Sequence, residues 1–364
     1  MIRGAAKRLR KAAGAVRVAD AWQIPKKLDP RWDGAICLAG NPEDHARLRR
    51  NGWPIVNVSS RHDPTRLDVP SVVSDSIAAG RLAAEHLLSR GYRRLAALPW
   101  PGVPMHYAKL RRQGFFEAAT EASTELVQAW DMPIGDLART NSERVLRNTE
   151  WLESLPVPTG VLIPDDLYAR GIMPLCRELG IRIPEDLGLV GVNNDDVVCE
   201  TLDPPLTSVD LNAQRVGYLA AELLLDLLDG GPEPDEPIIV PASGIVTRQS
   251  TGLMAVDDPV VSEAVRLIYE RIDRPPTVAG LAEMLHVDKR KLERAFKRKL
   301  GNPPATVGRK IRLERAAQLL TETDNTIQEI AEDVGFGSVH QFTKQFRAVY
   351  QTPPGAYRRE RRLR

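Results

Sequence analysis

The chain is poor in the residues that mark a disulfide scaffold, a metalloprotein or a membrane protein. Its three cysteines, Cys37, Cys176 and Cys199, stand far apart among 364 residues. That number and spacing favour buried thiols in a reducing compartment over a disulfide frame. The six histidines are scattered and Cys-x-x-Cys is absent, so no metal-ligand spacing exists. No apolar run approaches the ~20 residues of a membrane span. The basic start (Lys7, Arg8, Arg10, Lys11, Arg17) lacks the apolar segment of a secretory signal. A cytoplasmic protein without membrane contact is expected. The sequence also lacks a nucleophile elbow, a phosphate-binding glycine loop and a paired acid–base histidine, so no catalytic residue and no cofactor is expected. Net charge is small, at +2, but unevenly placed. Residues 263–364 hold 21 Lys+Arg against 13 Asp+Glu, or +8, which leaves −6 on residues 1–262. The basic end is the expected polyanion-binding part.

What the chain does have is an internal repeat. Thr277 to Val287 matches Thr326 to Phe336 at an offset of 49; after one inserted residue, Leu292, Phe296, Lys297 and Pro303-Pro304 match Phe342, Phe346, Arg347 and Pro353-Pro354. Such a repeat fixes architecture. In the second copy Ile327, Ile330, Ala331 and Val334 recur at helical spacing. Gly335 stands where that helix must end, Phe336 plugs the turn, and Ser338 caps a second helix to Tyr350 with Phe342 and Phe346 inward. The first copy has His286-Val287 at its turn and a second helix over 288–300, capped by Asp288, with Leu292, Ala295, Phe296 and Leu300 inward. A helix over 305–320 holds the copies apart. Two spaced helix-turn-helix units on a basic domain predict DNA binding. The residues Arg358, Arg359, Arg361, Arg362 and Arg364 read as a basic tail.

The pattern Arg312-Leu313-x-x-Ala316-x-x-Leu319-Leu320, Ile327-x-x-Ile330-Ala331, Gly335-Phe336, Phe342-x-x-x-Phe346-Arg347 and Pro354-Gly355-Ala356-Tyr357-Arg358 resembles the AraC-type regulators. The resemblance covers the last ~100 residues (263–364) and implies one helix of each unit in successive major grooves. By motif position, Arg290, Glu293 and Arg294 resemble base-reading residues of the first unit, and Val339, His340, Gln341 and Lys344 those of the second. Arg can pair guanine, Glu can accept from cytosine and Gln can take adenine. Lys344 replaces the usual Arg. Glu293 could equally pair with Lys289 or Lys297 along its helix. Lys297, Arg298 and Arg347 are expected on phosphate.

Residues 1–250 alternate strands with helices. Strands are expected over 34–38, 54–58, 94–98, 160–163 and 188–192. Helices are expected over 43–51, 76–90, 109–121, 141–154, 168–179 and 214–228, with Gly91 and Gly180 closing two of them. This order predicts parallel sheets with helices on both faces and a ligand at the strand C-terminal ends. The stretches Asp75-Ser-Ile-Ala-Ala-Gly80-Arg-Leu-Ala-Ala-Glu-His-Leu-Leu-Ser-Arg-Gly91, Gly188-Leu-Val-Gly-Val-Asn193 and Asp203-Pro-Pro-Leu-Thr-Ser-Val209 resemble the LacI-type, periplasmic-sugar-binding-like effector domain. The fold expected is therefore a two-lobed α/β periplasmic-binding-protein-like domain (1–250), a linker (251–262), and an all-α domain with two helix-turn-helix units (263–364).

That resemblance implies a small sugar as effector, with D-xylose favoured from the pairing of these two domain types. Arg111, Asp165, Asp166 and Asn193 match ligand positions of the family. Tyr107 and Trp100 are candidate stacking rings, and core packing is the competing role of Trp100. Asp75 is a further candidate that could instead cap the helix after it. Asn193 stands where an acid is usual. The family's first strand has no counterpart: residues 2–10 read as the first helix and 16–18 as the second strand, so a true start upstream of Met1 is expected. A homodimer acting on promoter DNA, activating pentose catabolism and meeting RNA polymerase, completes the expectation. A different sugar, a sugar phosphate, or effector-independent DNA binding stay open as alternatives.

Overall fold

The computed structural model describes residues 1–11, 33–38, 45–46, 49–50, 52–98, 105–126, 141–251 and 258–362. Trp100, the expected strand 16–18, most of the expected helix 43–51 and the middle of the expected linker lie outside them.

The first lobe holds two short parallel pairs, β1 (Ala35–Cys37) with β2 (Ile55–Asn57), and β3 (Val72–Ser74) with β9 (Ile238–Val240). Helix α1 (Ile2–Lys11) packs on α7 (Ala213–Leu228). Their backbones meet at glycine: a Cβ on Gly4 would overlap the Gln214 carbonyl, and one on Gly217 the Met1 carbonyl.

The second lobe is one sheet in the order β10-β8-β7-β6-β4-β5, where β4 is Arg94–Ala97, β5 Glu125–Leu126, β6 Thr159–Leu162, β7 Leu187–Val192, β8 Thr207–Asp210 and β10 Gly244–Val246. Successive residues of a strand face opposite sides. Val161 and Leu189 thus enter one core, with α4 (Asn141–Ser154) and α5 (Asp166–Glu178). Leu162 and Val190 enter the other, with α2 (Ser76–Ser89) and α3 (His106–Glu121). α6 (Asp196–Thr201) follows β7.

Three expectations need correction. The sheets are not wholly parallel, because β10 returns antiparallel on β8. Helix α3 begins at His106, three residues before the expected 109. The His106 and Tyr107 N–H groups donate to the Arg61 and Ser60 carbonyls at 3.0 Å each, which satisfies first-turn donors that otherwise lack partners. The helical domain begins inside the expected linker, because Asp258 caps α8 (Pro259–Glu270) and Pro259 suits the first helical position.

In the helical domain, α8, α9 (Val278–Met284) and α10 (Lys289–Leu300) share a core with the first half of α11 (Pro304–Glu322). Leu313, Ala316 and Leu320 of its second half join α12 (Ile327–Asp333) and α13 (Val339–Tyr350). One 19-residue helix, about 28 Å long, therefore spaces both units. Gly335 has φ +68°, and a Cβ there would lie 2.6 Å from the Ile272 carbonyl oxygen. Glycine is needed for both the conformation and the close approach of the two units. Arg312 donates to the Gly335 carbonyl at 2.8 Å and covers the Phe336 ring. Part of the expected basic tail is a helix, α14 (Pro354–Arg362). Its Arg358 donates inward to the Leu320 carbonyl at the end of α11 and to the Asn325 carbonyl in the turn after it.

Candidate functional site

Five of the residues singled out from sequence converge at the C-terminal ends of β6 and β7. Arg111, on the second turn of α3, is 4% exposed. It donates to the Pro164 carbonyl and, at 3.1 Å, to Asn193 Oδ1. Its guanidinium carbon lies 4.5 Å from the centre of the Tyr107 ring. Tyr107 in turn approaches Asp165 Oδ2 at 3.4 Å. Among the described residues Arg111 Nε finds no hydrogen-bond partner. Burial lowers the Arg111 pKa, and the charges of Asp165, Tyr107 and Asp166 act against that. Burial, then Asp165, raises that of the Tyr107 phenol.

Asn193 has φ +125°, a costly conformation for a residue with a side chain. Its N–H donates to the Val209 carbonyl at 3.0 Å, which holds the strained turn against β8. Asp165 and Asp166 are neighbours with different settings. Asp165 is half-buried and caps α5 by accepting from Leu167 N–H at 3.0 Å, leaving Oδ2 toward Tyr107. Asp166 is fully buried beneath the 193–196 loop. Its oxygens accept from Ser208 Oγ at 2.7 Å, the Asp195 N–H at 2.9 Å and Cys199 Sγ at 3.4 Å. Burial raises its pKa, and the donors from Asp195, Ser208 and Cys199 counter that. Asp166 therefore supports the loop from below. Asp75 caps α2, accepting from Ala78 N–H at 2.8 Å.

Sequence reasoning missed Arg248, which is 5% exposed. It donates to Asn194 Oδ1 at 2.9 Å and to the Leu206 carbonyl at 3.1 Å, tying the loop to the last segment of the domain. Nothing in its local sequence marks it as buried.

The second candidate surface lies on α10 and α13. Leu292, Ala295 and Phe296 turn into one core, and Phe342 and Phe346 into the other. Residues 290, 294 and 297 then share one outward face, as do 340, 344 and 347. Arg290, Arg294, Lys297, His340, Gln341, Lys344 and Arg347 are exposed, Val339 is 37% exposed, and Glu293 is half-buried. Asp288 and Ser338 cap the two helices, accepting from Lys291 N–H at 3.0 Å and Gln341 N–H at 3.2 Å. Both helices thus present cationic and polar side chains on rigid, capped elements.

Residues 84–251 match the family described as a periplasmic binding protein-like domain, and residues 281–360 match a helix-turn-helix domain. Xylose operon regulatory proteins are similar to most of the chain. That of Escherichia coli strain K12 is 28% identical over 339 residues, covering 92% of this chain and 86% of its own. That of Haemophilus influenzae is 26% identical over 329 residues, covering 90% and 84%. The solved structure of a xylose-binding transcription activator superposes with TM-score 0.67 at 26% identity, over 99% of this chain and 93% of that one. The chain is a transcriptional regulator that joins a periplasmic binding protein-like domain to an AraC-type helix-turn-helix domain. It belongs with regulators and not with enzymes. Its α/β part is the sugar-responsive half of the regulator and its helical part binds DNA. No helix among the described residues is long and apolar enough to cross a membrane.

Proposed function

We propose that this regulator takes D-xylose as its effector and, as a cytoplasmic homodimer, activates genes of pentose catabolism from promoter DNA. Arg111, Asn193 and Asp165 are assigned to the sugar hydroxyls, Tyr107 to its C–H face and Asp75 to the rim. Asp166 positions the loop that carries Asn193. The single observation behind this reading is the cluster around Arg111: a buried guanidinium, a ring and two polar strand-end groups within bonding reach. A site of few, placed polar groups beside a ring suits a small polyol. The resemblance to xylose operon regulatory proteins across both domains supports D-xylose among the sugars.

On DNA, Arg290, Glu293, Arg294, Val339, His340, Gln341 and Lys344 are assigned to bases, and Lys297 and Arg347 to phosphates. The regulator meets RNA polymerase from this position. A sugar phosphate is the second reading of the site, favoured by the Arg111 Nε that has no partner among the described residues.

Isothermal titration with D-xylose, L-arabinose, D-ribose and a pentose phosphate tests the effector. D-xylose alone is expected to bind, and binding is expected to vanish in Arg111→Ala and Asn193→Ala. Tight binding of the phosphate instead would transfer the assignment to the second reading. Silence of all four with folded protein would overturn a sugar effector at this site.

A further inference from the structure

Helix α2 touches both halves of the regulator. Near its N-terminus, which Asp75 caps, α2 packs against the helix that carries Tyr107 and Arg111: a Cβ on Gly80 would overlap the carbonyl of Arg111 on α3. A Cβ on Gly114 of α3 would overlap the Ile77 carbonyl in the same way. The two helices therefore meet backbone to backbone, so a displacement of α3, which carries Tyr107 and Arg111, moves α2 with it. At its last turn α2 meets the route to the reader twice. His86 Nε2 lies 2.8 Å from Thr251 Oγ1, and that hydroxyl is 2.7 Å from Thr207 Oγ1. Thr251 closes the effector domain, a few residues before α8 begins. One turn after His86, Arg90 donates to Glu314 on the spacer helix α11 at 2.8 Å. The two side chains are only 11% and 23% exposed, and the Tyr269 phenol of α8 lies near the same guanidinium.

We propose that α2 is the connecting rod of this regulator, carrying the state of the effector site to the reader through His86–Thr251 and Arg90–Glu314. This rests on the reading of the site as a sugar site. The rod is 14 residues, about 21 Å, and it is held to α3 backbone to backbone at Gly80 and Gly114 and by the packing of Leu87 with Phe115 beyond them. Its end grips α11, which belongs to both helix-turn-helix cores, so a shift at Arg90 moves both units together. An ion pair this deeply placed is sensitive to loss of one partner, since the other charge is then left buried and unpaired. Exchanging the two charges keeps the pair, and so separates coupling from folding.

The test uses the full-length protein with Arg90→Glu, Glu314→Arg and the double variant. DNA affinity is measured with and without D-xylose, and D-xylose binding by calorimetry. Spin labels at Arg177→Cys and Arg274→Cys, whose side chains are 68% and 92% exposed, report the distance between the two domains. In the wild type D-xylose is expected to change DNA affinity by a factor in the ~5–150-fold range usual for coupled sites. Each single variant should still bind D-xylose, should lose most of that factor, and should broaden the distance distribution. The double variant should recover both. An unchanged factor and distance in the single variants would overturn the proposal. Loss of D-xylose binding that the double variant does not restore would overturn it too, because the pair would then hold the site and not its link. If D-xylose fails to bind the wild type, the effector reading falls by itself. The distances then judge the rod alone: broadening that the charge exchange reverses supports it, and unaltered distances overturn it.

Discussion

His86 makes stability depend on pH in a way that can be worked out from its surroundings. The imidazole is 8% exposed on the last turn of α2, with Nε2 bonded to Thr251. Burial, and then the nearby Arg90 charge, lower its pKa to about 3. An unfolded histidine titrates near 6.5. With the folded value depressed, the unfolded chain takes up a proton at pH 5 that the folded chain does not. The contribution is complete above pH 6.5 and is lost as the pH falls from 6.5 toward 3. Between pH 7 and pH 5 this amounts to about 2 kcal/mol. His86→Gln keeps a polar group near Thr251 and has nothing to protonate. The stability difference between pH 7 and pH 5 should therefore shrink by about 2 kcal/mol in the variant. Urea unfolding at the two pH values, followed in the transition of the effector domain, measures it. Equal pH dependence in both proteins would refute the argument that His86 is buried and neutral.

Further outcomes follow from packing and charge. Gly80→Ala forces α2 and α3 apart and should cost about 1–3 kcal/mol, the usual toll of overpacking, with weaker sugar binding in the same calorimetric titration. Asp166→Ala leaves the Asp195 N–H and the buried Ser208 hydroxyl without their acceptor. It should destabilise the effector domain by about 3 kcal/mol in thermal or urea unfolding, and an unchanged midpoint would contradict its supporting role. In binding titrations across salt, Arg347→Ala should lower the salt dependence by about one counterion without changing sequence preference. Arg290→Ala should instead relax preference at one base pair by about 1–3 kcal/mol. Identical behaviour of the two variants would refute the division into phosphate and base contacts.

Much of the helical domain was legible because its signals are local. The apolar spacing of Ile330, Ala331 and Val334, the caps Asp288 and Ser338, and the glycine at 335 each act within a few residues of the feature they specify. The repeat doubled the spacing and the caps, though not the glycine, which His286 replaces in the first copy. The α/β domain was legible in its buried strands, whose continuous Val and Leu runs need cover on both faces. It was not legible at β8, where Thr207 and Ser208 are fully buried polar residues satisfied by distant groups: Ser250, Arg248 and Thr251 for the first, Asp166 and Asn194 for the second. The adjacent carboxylates at 165 and 166 look alike in sequence. The start of α5 between them turns one toward Tyr107 and the other under the loop. Arg248 and Asn194 lie 54 positions apart, so only the fold brings them together. Arg358 likewise read as part of a basic tail until α11 supplied carbonyls for it to meet.

The central claim is that a sugar bound near Arg111 changes how α10 and α13 hold DNA. Fluorescence anisotropy of a duplex selected by this protein from a random pool, titrated with and without D-xylose, tests it most directly. D-xylose should shift the DNA affinity by about five-fold or more, and Arg111→Ala should abolish the shift while still binding DNA. Superimposable titrations of the wild type with and without D-xylose would contradict it.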